Sequence, residues 1–318
     1  MRPEVAEDAV ALQRFFNEAK ASGRVRSPSI VEIYDLGQAE DGSPFLVFEL
    51  LEGEGLDERL RREHTIGAEA LLEMLVGVAR ALDLAHAQGV IHRDLKPANL
   101  YVTRGPTGRQ TAKILDFGIS KVFQAGHDFT LTRTGTVVGS PAYMSPEQAA
   151  GREDIDGRAD VWSLGVVMYE ALTGAPPHQA ANYNQLMVRI LTQDCDPVVT
   201  RKAGLPPAVC AIVDACLKRE RDERTSNAGV LARQMEGALR EMRAMRFRAL
   251  GRRNTDRGSA GPHDSQQRVT DLDGASTSPK PLTRASWPSQ RNLLLAAAGV
   301  GAAIGALALL LILIILRR

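Results

Sequence analysis

Two stretches decide how this chain is read: VIHRDLKPANL at residues 90–100 and ILDFGIS at residues 114–120. Each opens on apolar residues and reaches a carboxylate, Asp94 in the first and Asp116 in the second. The first adds Lys96 and Asn99 close behind Asp94. Carboxylates at the mouths of short strands, with a carboxamide beside them, make a set of hard oxygen donors. Such a set suits holding Mg²⁺ against phosphates while one carboxylate takes the proton of an attacking hydroxyl. The residue types therefore point to phosphoryl transfer.

Outward from these stretches the pattern is mixed. The turn RGPTGR separates two strand-like segments, NLYVT and AKILD, and further strands are expected at Ser29 to Gly37 and at Pro44 to Gly53 around the turn EDGS. Leu71, Leu75, Val78, Leu82 and Ala85 share one helical face, and that helix should stop at Gly89. From Asp160 onward the apolar spacing again favours helices. The expected fold class is α+β, with a small part carrying strands and one helix followed by a mostly helical part.

Composition narrows the partners. The chain has 318 residues, with 39 basic against 38 acidic side chains, so bulk nucleic-acid binding is not expected. Cys195, Cys210 and Cys216 lie among apolar residues and out of metal-ligand spacing, which reads as core thiols in a reducing cytoplasm.

The segment from Leu293 to Leu316 carries no charge and is followed by Arg317 and Arg318. As a helix it reaches about 36 Å, enough to cross a hydrocarbon core of about 30 Å. It is expected to be a membrane anchor, with Ala297, Gly301 and Gly305 at the four-residue spacing that allows two such helices to pair. Residues 251–292 are rich in Ser, Thr, Gly and Pro and read as a flexible juxtamembrane linker. The arginines around its start, from Arg240 to Arg253, could touch anionic lipid, but a helix end with a solvated basic face is the favoured reading.

HRDLKPAN, DFG, GSPAYMSPE (Gly139 to Glu147) and DVWSLG (Asp160 to Gly165) occur in an order and spacing that resemble the protein kinases, and among them the bacterial serine/threonine kinases. The resemblance implies a bilobal kinase fold using ATP and Mg²⁺. It implies Asp94 as catalytic base, Lys96 as a cation on the transferring phosphoryl group, and Asn99 and Asp116 as metal ligands. Lys96 in that loop goes with serine and threonine substrates. Ser140 stands where the family usually has threonine. Phe48 resembles the residue at the back of the adenine pocket, with Glu49 to Leu51 as the hinge. His92 and Phe117 resemble packed spine residues, Asp160 the start of the central buried helix, and Glu147 with Arg224 a buried structural ion pair. Thr132, Thr134 and Thr136 fall in the region where family members are phosphorylated. Thr134 or Thr136 is the expected regulatory site, with Arg93 as the partner of its phosphate.

Within LQRFFNEAK, Glu18 matches the glutamate of the family's regulatory helix. The lysine it would pair with, and the Gly-rich loop, do not precede it in these residues; at family spacing the lysine falls about two positions before Met1. The expected layout is a partial small lobe at 1–51, a large lobe at 52–250, the linker at 251–292 and a transmembrane helix at 293–316. Either Met1 is an internal methionine of a complete kinase, or the chain is a truncated pseudokinase acting as a membrane-tethered scaffold. Retention of Asp94, Lys96, Asn99 and Asp116 favours the enzyme. The 318 residues alone are expected to bind ATP with Mg²⁺ poorly and to transfer phosphate slowly. The remaining expectations are protein substrates, a cytoplasmic kinase domain on a single-pass anchor, and a homodimer through the anchor. Small-molecule phosphotransferases of related fold also use a loop aspartate and asparagine, but the long activation segment argues against them.

Overall fold

The computed structural model describes residues 23, 25–40, 43–105, 108–115 and 141–257, with side chains as far as 248. All of these lie within one unit spanning residues 1–260. Glu18, Asp116, Phe117, Thr132, Thr134, Thr136, Ser140 and the segment 293–316 lie outside the described residues.

A helical body dominates. Helix α1 (Leu56–Glu63) leads into α2 (Ala68–His86). On α2 the five residues marked by periodicity, Leu71, Leu75, Val78, Leu82 and Ala85, are all fully buried. Burying one such aliphatic side chain contributes about 1.5–3 kcal/mol, so this stripe fixes which side of α2 faces inward. Gly77 sits on the same helix for a steric reason: a Cβ there would lie 2.4 Å from Ser29 Oγ. The missing side chain lets the segment around Ser29 press onto α2.

Two small sheets flank this body. Strands β1 (Ile33–Gln38) and β2 (Pro44–Phe48) form an antiparallel pair. Strands β3 (Gly53–Gly55), β4 (Leu100–Arg104) and β5 (Gln110–Ile114) form a second antiparallel sheet in that order. The expected strand from Ser29 to Gly37 is in fact two pieces. Ser29 O accepts from Ile114 N at 2.8 Å and Val31 N donates to Ile114 O at 2.9 Å, which draws the first piece onto β5. The strand expected from Pro44 to Gly53 likewise stops at Phe48, and β3 begins a separate pairing with β4. Gly53 allows this, because a Cβ there would stand 2.0 Å from Val102 O.

After the strands come the short α3 (Pro146–Ala149) and α4 (Arg158–Thr173). Helix α4 is buried on every side, including Trp162, Leu164, Val166, Val167, Met168 and Tyr169, and forms the centre of the core. Around it lie α5 (Tyr183–Thr192), α6 (Val198–Arg201), α7 (Pro207–Cys216) and the long α8 (Ala228–Arg257), which packs along α2. Cys210 and Cys216 are buried and unpaired, and burial pushes the Cys216 thiol up to about 12. Among the described residues no helix is long and apolar enough to cross a membrane.

Candidate active site

The loop from His92 to Asn99 is held from below by Asp160, the third residue of α4. Asp160 Oδ2 accepts from His92 N at 2.9 Å and lies 2.7 Å from His86 Nε2, while Oδ1 accepts from Arg93 N at 2.8 Å. Burial alone would raise its pKa. The bond to His86, the nearby His92 and the Arg93 N–H outweigh that and hold its carboxyl below the usual range. A fully buried carboxylate with several partners is therefore the strut on which the loop rests.

Arg93 itself adopts a left-handed backbone, with φ of 65°. For a residue with a side chain this conformation costs of order 1–3 kcal/mol and persists only where the surroundings impose it. Here both its backbone polar groups are engaged: its N–H by Asp160, and its carbonyl by Gln148 Nε2 at 2.7 Å. The turn that follows presents Asp94, Lys96 and Asn99 together.

Lys96 Nζ donates to Asp94 Oδ2 at 2.7 Å. Asn99 Nδ2 donates to Asp94 O at 2.8 Å and to Asp94 Oδ2 at 3.3 Å. The short turn Pro97–Asn99 places the Asn99 side chain back over Asp94, and Asn99 O accepts from Leu115 N at 3.0 Å. The residue before Asp116 is thus fixed beside Asn99. Both charged side chains keep a path to solvent, 27% exposed for Asp94 and 21% for Lys96.

His92 is buried, in keeping with a packing role. Glu147 and Arg224 form a two-pronged buried pair, with Nη1 to Oε1 at 2.7 Å and Nη2 to Oε2 at 3.0 Å. Arg224 also donates to the carbonyls of Arg158, Lys218 and Arg219 and lies over the Trp162 ring at 5.1 Å. Phe48 ends β2 opposite Ile33. Glu49 N donates to Glu32 O, and its carboxylate takes both Glu32 N and the Lys113 ammonium. Leu50 projects into solvent and Leu51 is half-buried.

Several contributors went unread in the sequence. His86 and Gln148 hold the loop, yet one closes an apolar helix and the other follows SPE, so neither carries a motif. Lys113 steadies Glu49 from β5. Tyr143 Oη donates to Glu170 Oε2 at 2.6 Å at the edge of a cavity of about 480 Å³ that Lys96 and Asp57 also line. Burial raises the Glu170 carboxyl against the bond from Tyr143.

Comparison with known proteins agrees with this geometry. The protein kinase domain family matches residues 2–235. The serine/threonine-protein kinase pkn3 of Myxococcus xanthus is 34% identical over 248 residues, covering 77% of this chain and 45% of that protein. The serine/threonine-protein kinase PknH of Mycobacterium bovis is 36% identical over 239 residues, covering 75% and 39%. This chain thus spans less than half the length of these relatives. The crystal structure of the PknI kinase domain of Mycobacterium tuberculosis superimposes with a TM-score of 0.56 at 24% identity, over 75% of this chain and 83% of that one, and shows the shared fold. The chain belongs to the protein kinase family.

Proposed function

We propose that this chain is a serine/threonine protein kinase, transferring the γ-phosphoryl group of ATP to protein hydroxyls. The observation that carries the reading is the joint hold of Lys96 and Asn99 on Asp94 Oδ2. Among the described residues Asp94 Oδ1 takes no hydrogen bond, so one carboxylate oxygen is positioned by neighbours and the other is left to accept the hydroxyl proton. The Lys96 ammonium, within reach of the same carboxylate, offsets negative charge that gathers on the phosphoryl group as the oxygen bond forms.

The donor set fits Mg²⁺. Asn99 commits its Nδ2 to Asp94, which turns its carbonyl oxygen away as a hard ligand, and Asp116 supplies a carboxylate by resemblance. Held by these residues, a bound Mg²⁺ would supply positive charge against the phosphates. Phe48 and Glu49 to Leu51 would receive the adenine ring, and Glu18 would act from the regulatory helix. Arg93 makes no ion pair among the described residues, and a phosphate on Thr134 or Thr136 would find its guanidinium there. We place the domain on the cytoplasmic side, where ATP is supplied, tethered by 293–316 and paired with a second copy through Ala297, Gly301 and Gly305. The sequence pattern of that segment supports this part of the reading.

Incubation of the full chain with Mg²⁺ and γ-labelled ATP tests the assignment. Transfer of label to serine or threonine, lost in Asp94→Ala, is expected. A chain that unfolds cooperatively on heating but transfers no more label than Asp94→Ala would overturn it in favour of a scaffold.

A further inference from the structure

The end of α8 concentrates positive charge. From Arg240 to Arg257 the sequence holds seven arginines against Glu241 and Asp256, in a chain whose overall balance is +1. The structure divides those arginines that it describes into two groups. Arg243 is bonded to Glu73 and lies 3.6 Å from Glu69, and Arg246 donates to Glu69 at 2.9 Å, so both are turned toward α2. Arg240 and Arg248 make no ion pair among the described residues.

The spacing of the second group is helical. Arg240, Ala244, Phe247 and Arg248 stand at steps of four, seven and eight residues, which places them on one face. All four are exposed, and Phe247 is 82% exposed. Met245, beside this face, is 56% exposed, and Glu241 is the acidic group at its edge. An exposed phenylalanine between unpaired arginines is costly in water and favourable at a boundary between water and lipid. There the ring enters the acyl region and the guanidinium groups meet anionic headgroups.

We propose that this face of α8 rests on an anionic lipid surface, so that the kinase domain is held against the bilayer and not merely tethered near it. The proposal rests on the membrane-tether reading of 293–316. The linker is expected at 251–292, and the helix takes up its first residues as far as Arg257; the 35 residues left before 293, if flexible as their composition suggests, would span roughly 30–35 Å. At such a distance a weak surface contact is made at high effective concentration, so a few arginines and one aromatic ring suffice.

The test uses the full chain in two kinds of vesicle, one of phosphatidylcholine alone and one also containing phosphatidylserine. In a Trp287→Phe background, Phe247→Trp reports its own depth through quenching by brominated lipids, with buried Trp162 as a constant signal. The chain should float with both vesicles through 293–316. Trp at 247 should be quenched only on those with phosphatidylserine, and high salt should release it. Arg240→Gln and Arg248→Gln should each weaken the quenched state by about fivefold. Flotation without quenching at 247, or equal quenching on both vesicles, would overturn the proposal while leaving the tether intact. Failure to float with either would overturn both. A concentration-dependent blue shift without lipid, in place of quenching, would assign the face to a second copy of the chain.

Discussion

Two ion pairs of the same length stand in opposite surroundings. Lys96 meets Asp94 at 2.7 Å, and Arg224 meets Glu147 at 2.7 Å. The first pair keeps about a quarter of its surface in solvent; in the second, Arg224 is 0% exposed and Glu147 4%. What differs is the number of further partners. Arg224 is bound by both carboxylate oxygens, by carbonyls and by the face of Trp162, so its fork has little left to give. Among the described residues Lys96 bonds to Asp94 alone through a flexible stem, which leaves ammonium protons for an incoming anion. Distance alone does not tell a strut from a working group; burial and spare bonding capacity do.

Removing half of the buried pair should have the largest effect on stability. Arg224→Met leaves Glu147 charged and unpartnered in the core and strips the Trp162 face. The expected cost is about 3–5 kcal/mol in denaturant unfolding. Adding Glu147→Leu should recover part of it, because two apolar groups no longer strand a charge. A single-variant loss below about 1 kcal/mol would place the pair with ordinary surface bridges and break the contrast.

Asp160 comes next. In the folded chain its pKa lies below the ordinary value, so it adds stability above the unfolded-state pKa, and that stability is lost as pH falls through the folded one. Asp160→Asn should cost about 1–3 kcal/mol near neutral pH, since the buried donors of His92 and Arg93 lose a charged acceptor. The same variant should flatten the acid limb of the stability curve. A wild-type and variant pair whose unfolding free energies run parallel from neutral pH into the acid limb would remove Asp160 from this role.

The sequence made some of this legible and hid the rest for physical reasons. The stripe on α2 was readable because one face is wet, so apolar residues recur at helical spacing. Helix α4 is buried on all sides, which erases that period, and only its resemblance to the family's central helix marked Asp160. Strand β3 was missed because Gly53 and Gly55 carry no strand preference; a close approach to Val102, visible only in three dimensions, selects glycine at position 53. His86 was missed for a similar reason. Gly157 provides the space for its ring, since a Cβ at that position would meet His86 Nδ1 at 2.4 Å. The Asp94, Lys96 and Asn99 set was legible because its three residues are close in the chain. The supports from Gln148 and Asp160 come from far along it and leave no local pattern.

The smallest effect on stability should come from Lys96→Met, and it discriminates most sharply between the two pairs. Methionine keeps much of the length and apolar stem of the side chain, and Asp94 without its lysine still faces solvent and still accepts from Asn99. No buried charge is stranded, so unfolding should shift by less than about 0.5 kcal/mol. Phosphoryl transfer should nevertheless fall by about 10²-fold, because the cation is lost where negative charge develops. Measuring both quantities on one preparation separates the roles. A loss of stability near that of Arg224→Met would make Lys96 a strut like its buried counterpart. Unchanged transfer with unchanged stability would mean that Asp94 and Asn99 alone carry the chemistry, with the 2.7 Å contact a consequence of the turn rather than a part of the reaction.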